Sequence, residues 1–249
     1  GVEVEAYLVA PPAVRDAPAI VYARGGGRHA EINPYLIATH LAPLAAAGFC
    51  VVATQYRNGS TDGDEFGGAD VADLVNVAAV LQQLPEADPA RAGLVGWSRG
   101  AMMVHLALAH APSAFRAAVC AAGAGDLFAE LQRRPEMETV YAEQIPEFEA
   151  HRERELSRRS PLLWADRLPR DVPILLLHGA ADWRVSPHES LRLAARLLEL
   201  AIPSRLVLYE GGEHGIREHA DEVVAEITTW FRRYLETGAA LPNVEPHGP

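Results

Sequence analysis

The apolar positions along this chain change their period repeatedly, and each change marks a boundary between short elements. Residues 2 to 9 alternate apolar and polar, the pattern of a half-exposed edge strand, and Pro11-Pro12 closes it. Runs at 19–23, 49–54, 92–95, 117–122 and 173–177 carry few polar residues, as strands buried on both faces do, and 205–209 reads as a further strand. Between these runs the period lengthens to that of a helix. Asn33-Pro34 reads as an N-cap followed by proline at the first helical position, Gly48 reads as the stop, and Tyr35, Leu36, Leu41 and Leu44 are expected to share a face. Residues 69–84 bring Val71, Leu74, Val75, Ala78 and Leu81 to one side, and Pro85 ends them. Helices are also predicted over 101–110, over 191–200 after Ser186-Pro187, and over 220–234, where Val223, Val224, Ile227, Trp230 and Phe231 coincide. Strands alternating with helices predict an α/β fold, a mostly parallel sheet with helices on both faces.

Two segments depart from this rhythm. Residues 126–170 are rich in Glu and Arg, and Pro135, Pro146, Pro161 and Pro169 cut them into short helices. Their apolar positions are too few for a core of their own, so a small helical insertion, a cap over one end of the sheet, is expected. Leu127, Phe128, Leu131, Tyr141, Leu162, Leu163 and Trp164 would face inward, and Glu147, Glu149, Arg152, Glu153, Arg154 and Glu155 would form a solvated outer face. From Thr237 onward Gly and Pro predict a frayed tail, 237–249. No linker divides the rest, so one domain spanning 1–249 is expected.

Composition bears more on partners than on fold. The formal charge of -11 disfavours nucleic acid and anionic membrane surfaces as partners. All 22 basic residues are Arg, which reads as coding bias. Cys50 and Cys120 sit in apolar strand-like runs, so buried free thiols in a reducing, cytoplasmic compartment are expected and not a disulfide framework. No apolar run approaches the ~18 residues of a membrane span, and no export signal opens the chain. The sequence begins at Gly1 without methionine, which implies a processed or trimmed start. No His, Cys and Asp cluster has ligand spacing, so neither metal nor cofactor is expected.

The candidate chemistry lies at Gly96-Trp97-Ser98-Arg99-Gly100, between an apolar run and a helical one. A serine hydroxyl is a poor nucleophile until a sharp strand-to-helix turn holds it toward a base. Gly96 and Gly100 then have a steric reason, because neighbouring chain must pass close to Ser98. The helix that follows aims free N–H groups at an oxyanion formed there. Among ten histidines, His214 lies in a Gly-rich loop after the last strand, free to reach Ser98. His105 and His110 lie on the helix after Ser98, and His178, at a strand end, suits a hydrogen-bonded structural imidazole. Asp182 lies just past a strand end and completes the order Ser, Asp, His. Asp166 and Asp171, at the exit of the insertion, are expected in solvent. The glycines 25–27, Ser98, Asp182 and His214 all fall at the carboxyl ends of strands, where ligands of parallel sheets sit.

Several further pieces occur in order over nearly the whole chain: Gln55-Tyr56-Arg57, Glu65-Phe66-Gly67-Gly68 with Asp70, Gly96-Trp97-Ser98-Arg99-Gly100, Ser160-Pro161, His178-Gly179 with Asp182 and Val185, and Gly211-Gly212 with His214-Gly215. With them the chain resembles the catalytic domain of the prolyl oligopeptidase family of serine peptidases, within the α/β-hydrolase fold. The resemblance implies Ser98 as nucleophile, His214 as general base and later acid, Asp182 as its orienting carboxylate, and the amides of Gly26 and Arg99 as the oxyanion hole. It implies a serine hydrolase that cleaves a peptide or ester bond through an acyl-enzyme and takes a small-molecule or short-peptide substrate.

Two departures qualify it. Arg24-Gly25-Gly26-Gly27 stands where many relatives have His-Gly-Gly-Pro, and the tyrosine hydroxyl that some place there is missing, so both oxyanion donors would be amides. Arg24 would meet a substrate carboxylate or pair with a nearby acid, and Gly25, Tyr56, Trp97 and Trp183 are the other expected substrate contacts. No β-propeller precedes the catalytic residues here, which moves the expectation toward a carboxylesterase or thioesterase that turns over small activated esters faster than aminoacyl anilides. A hydrolase-fold binding protein without catalysis is the third reading, although such proteins usually lose the serine or the histidine.

Overall fold

The computed structural model describes residues 2–57 and 63–248. Seven strands form one sheet: β1 (Ala6–Val9), β2 (Ala17–Ala23), β3 (Cys50–Thr54), β4 (Ala87–Trp97), β5 (Ala117–Ala121), β6 (Ile174–Gly179) and β7 (Ser204–Tyr209). Their order is β1-β3-β2-β4-β5-β6-β7, with β1 antiparallel on β3 and every other pair parallel. The apolar runs up to 173–177 became interior strands, with β2, β3, β5 and β6 buried along their whole length, while 205–209 became β7, the other edge, where most positions are exposed or half-buried. β1, from the alternating run, is the half-exposed edge, although regular pairing starts only at Ala6.

The helices divide between the two faces. Asp70–Leu81, Arg99–His110 and Pro187–Glu199 pack Leu74, Leu81, Met103, Val104 and Leu197 on one side. On the other, Leu41 and Leu44 from the first helical segment meet Val223, Ile227 and Phe231 from Ala220–Phe231. The N-cap expectation holds, since Asn33 Oδ1 accepts from the Leu36 amide at 3.0 Å. That first segment is not a plain α-helix. It runs Pro34–Leu36, a π turn Ile37–Leu41, then Ala42–Ala46. Pro43 has no N–H and its ring crowds the carbonyl four residues back, so the ladder gains a residue there, with the Ala42 amide bonding Ile37 O. Tyr35 consequently leaves the apolar face predicted for it and is 60% exposed.

The segment 126–170 forms helices Leu127–Arg133, Met137–Gln144 and Phe148–Arg158, then a 3-10 stretch Pro161–Arg167. Leu127, Leu131, Tyr141 and Trp164 are buried in the same apolar cluster as β2 and the helix Arg99–His110. Leu163, expected inward, is exposed because it follows the turn of Pro161 outward. Glu155, expected in solvent, is buried because Arg159 reaches back one turn to pair with it at 2.7 Å. Residues 58–62 of the polar loop lie outside the described residues. Among the described residues no helix is long and apolar enough to cross a membrane.

Candidate active site

β4 ends at Trp97, the helix begins at Arg99, and Ser98 alone makes the turn, with φ 57° and ψ -121°. Such a conformation costs a β-carbon-bearing residue on the order of 1–3 kcal/mol. Two backbone bonds hold it: the Ser98 amide donates to Ala121 O at 2.8 Å, and Ser98 O accepts from Ala101 N at 3.0 Å. A Cβ on Gly96 would stand 2.1 Å from Gly100 O, and one on Gly100 would stand 2.0 Å from Ala23 O. The turn closes only with glycine at both places.

β6 and β7 deliver the other two side chains from their carboxyl ends. His214 Nε2 lies 3.0 Å from Ser98 Oγ, and His214 Nδ1 lies 2.7 Å from Asp182 Oδ2. Asp182 Oδ1 accepts the amides of Arg184 and Val185 at 2.8 and 3.0 Å. His178 is fully buried behind it, with Nε2 3.1 Å from Asp182 Oδ2 and Nδ1 2.7 Å from Ser190 Oγ. Burial alone would raise the Asp182 carboxyl, but the bonds from His178, His214 and the Val185 amide hold it well below the usual carboxylate range. The carboxylate therefore stays charged, and a charged carboxylate at this distance can fix the tautomer of an imidazole and stabilise an imidazolium.

Gly26 and Arg99 line the same cavity as Ser98. Gly26 sits at φ 77°, and the start of the helix leaves the Arg99 amide without an intrahelical acceptor. The side chain of Arg99 is the feature that sequence reasoning missed. It is buried, with Nη1 2.9 Å from Asp64 Oδ2, Nη2 2.6 Å from Asp64 Oδ1, and a further bond to Asp70 Oδ2. Nη1 also donates to Gly26 O at 3.1 Å, so this guanidinium orients the peptide next to the cavity. Asp70 in turn accepts the amides of Gly67 and Gly68. The only signal for it in the sequence was the Asp70 of the Phe66-Gly67-Gly68 piece.

Two expected substrate contacts fail on burial. Arg24 is 0% exposed and spends its guanidinium on Gly25 O, Gly27 O and Gln55 O, with Asp64 at 3.5 Å. Tyr56 is equally enclosed, and its hydroxyl donates to Arg24 O at 3.1 Å. Trp97 is only 9% exposed, and its ring N–H donates to His214 O at 2.9 Å, so it holds the loop of the histidine. Gly25 and the exposed Trp183 do line the mouth beside Ser98. Asp166 and Asp171 are exposed, far from being candidates for His214. Among the described residues no three His, Cys, Asp or Glu side chains converge as they would to hold a metal ion.

The cavity holding Ser98, about 320 Å³, is walled by Phe66 and Met102 below and by Leu127, Met137 and Val140 of the 127–144 helices above. Its further polar members, Glu130, Arg134, Gln144 and Arg184, were not foreseen. Burial pushes the Glu130 carboxyl above its ordinary range against the pull of the Tyr141 hydroxyl, which donates to it at 2.9 Å.

The model of the prolyl oligopeptidase family matches residues 35–238. The chain belongs to this family. It is 25% identical to the uncharacterized peptidase YtmA of Bacillus subtilis (strain 168), over 93% of this chain and 90% of that protein. To dipeptidyl-peptidase 5 of Porphyromonas gingivalis it is 24% identical, over 92% of this chain but 36% of that one. The structure of a puromycin-hydrolyzing peptidase from Mycobacterium tuberculosis superposes with a TM-score of 0.75 at 28% identity, over 98% of this chain and 39% of that chain. The Pyrococcus horikoshii acylaminoacyl peptidase shares the fold with a TM-score of 0.80 at 22% identity, over 97% and 41% of the two chains. The chain thus spans less than half the length of most of these family members. This is an α/β-hydrolase fold, and the protein is a serine hydrolase.

Proposed function

We propose that the protein hydrolyses acyl bonds in short peptides and related small substrates, with Ser98 as nucleophile, His214 as base and then acid, and Asp182 as the carboxylate behind it. The observation that carries this reading is the unbroken chain from Ser98 Oγ through His214 to Asp182, at 3.0 and 2.7 Å. Ser98 Oγ attacks the carbonyl carbon and gives its proton to His214 Nε2. The negative oxygen is held by the amides of Gly26 and Arg99. As the acyl bond breaks, His214 returns the proton to the leaving nitrogen or oxygen, and water activated by the same imidazole then releases the acyl group. The peptidases among its relatives support a short peptide-like substrate, as does a cavity of about 320 Å³, too small for a folded chain. The two buried, unpaired cysteines support a reducing, cytoplasmic setting.

A fluorophosphonate tests the reading directly. Wild-type protein should be modified at Ser98 alone, and Ser98→Ala should neither label nor turn over aminoacyl anilides and acyl esters. Labelling that survives the substitution sinks it.

A further inference from the structure

Ser98 and His214 border two cavities, and only the one under the 127–144 helices has been given a use. The second lies on the far side of His214. Its mouth is formed by Gly25, Ser98, His214 and Trp97, and includes no residue of those helices. Through Tyr22, Tyr35, His40, Trp97, Gly215 and Arg217 the mouth continues into a separate space of about 280 Å³ between the helical segment 34–46 and the helix Ala220–Phe231. The deep walls are apolar: Leu44, Val95, Val223, Val224 and Ile227.

We propose that this cavity receives the departing half of the substrate, an aromatic or comparably flat apolar alcohol or amine. The inference rests on the catalytic roles proposed above. His214 must hand its proton to the leaving oxygen or nitrogen while the bond from that atom to the acyl carbon breaks. The leaving atom therefore faces His214, and the group attached to it extends past the loop of this histidine. The cavity lies beneath that loop, bounded by Gly215, Ile216 and Arg217. Its aromatic wall favours a flat ring. Trp97 forms one side, with the His40 ring edge-on to it at 4.9 Å, and Tyr22 and the exposed Tyr35 flank the opening.

Among the polar groups on this wall, Tyr35, Thr39, His40 and Arg217, the imidazole stands nearest the aromatic face of Trp97. His40 Nδ1 is engaged by the Tyr22 hydroxyl at 3.1 Å, while among the described residues Nε2 has no partner. Burial lowers His40 to about 4, so the ring is neutral at physiological pH and offers one uncharged hydrogen bond. The π turn at Ile37–Leu41 is what swings His40 and Tyr35 to this side, and such turns recur at functional sites. At the rim Arg217 is tied to Glu213 at 2.9 Å, which removes one cation that would otherwise favour an anionic guest.

The probe is 2-naphthol, the product of 2-naphthyl ester cleavage. Titrated into Ser98→Ala by its fluorescence, it should bind saturably, and in the wild type it should inhibit competitively. Val224→Trp, at a partly exposed position on the wall, fills the cavity. It should weaken naphthol binding about tenfold or more and lower the ratio of kcat/KM for 2-naphthyl acetate over methyl acetate by a similar factor. Methyl acetate turnover and fluorophosphonate labelling should stay within about twofold of wild type, since neither needs the cavity. Tyr35→Ala, on the surface and safe for folding, should lower the same ratio about threefold. An unchanged ratio and unchanged naphthol affinity in Tyr35→Ala and in folded Val224→Trp would overturn the proposal. A wild type that fails to label with fluorophosphonate would refute the catalytic roles instead, and the naphthol titration of that protein would still decide whether the cavity binds the ring.

Discussion

Two buried polar assemblies support Ser98, and they are built on opposite plans. Beneath the serine turn, Arg24 and Arg99 face Asp64 and Asp70, so cations and anions balance. Behind the histidine, one carboxylate, Asp182, serves two imidazoles, those of His178 and His214. In the first assembly the charges are spent on one another and on backbone, notably Gly26 O. What they fix is position. In the second a single negative charge accepts from two imidazoles and two backbone amides, with no arginine paired to it among the described residues, and faces His214. The difference teaches how one site holds its geometry still while keeping an electrostatic reserve for the moment when His214 takes a proton.

The largest effect expected from breaking this contrast is at Asp182. Asp182→Asn keeps the shape and removes the charge, so turnover of an aminoacyl anilide should fall by about four orders of magnitude while thermal unfolding changes little. A loss within about tenfold would mean that His214 takes its support elsewhere. Asp64→Asn should give the reverse pattern. It leaves Arg24 and Arg99 partly uncompensated in the interior, at a cost of about 3–5 kcal/mol, read as a lower midpoint in urea. The fraction that remains folded should keep its fluorophosphonate reactivity. A normal midpoint with slow labelling would show that the balanced assembly acts on chemistry after all. The smallest effect belongs to Trp97→Phe, which removes the N–H donated to His214 O, a neutral bond worth about 0.5–1.5 kcal/mol, together with part of the ring that lines the mouth beside His214. Turnover should fall by about tenfold or less. A much larger loss would place Trp97 among the groups that hold His214 and not beside them.

The two assemblies also differ in how far the sequence reveals them. Asp182 and His214 follow strand ends, lie in glycine-rich loops, and occur in a fixed order, so position along the chain was enough to single them out. Ser98 announced itself through Gly96 and Gly100, whose missing side chains turn out to be sterically required. Asp64 has no local signature, and although Asp70 and Arg99 stand in recognisable motif pieces, nothing local pairs them with each other. Their pairing joins a polar loop, a helix start and a second helix start, and whether a charge is solvated or buried depends on where its partner folds. Tyr56, expected at the substrate, lies inside for the same reason, and of the two uses expected of Arg24 the structure shows the pairing with an acid, Asp64, because a residue at a strand's carboxyl end can point into the protein as well as toward the site. The π turn was hidden differently: Pro43 is visible in the sequence, but the direction in which the helix yields is decided by packing against Ala220–Phe231 and the sheet.

The 127–158 helices have a consequence for anyone who would redesign this hydrolase. Tyr141 and Leu156 are 0% exposed and belong to the same cluster as the sheet, although Met137 and Val140 of the same segment wall the cavity. The segment is shared property of foldability and selectivity. A substitution there that widens the cavity holding Ser98 removes packing from the common interior, so libraries aimed at new substrates will lose members to misfolding before activity is ever assayed. The side bounded by Tyr35 and Trp183 carries no such burden, since both rings stand in solvent. Diversity introduced at those two positions can be sampled almost freely, which makes the opening beside His214, and not the chamber under the helices, the more evolvable side of the site.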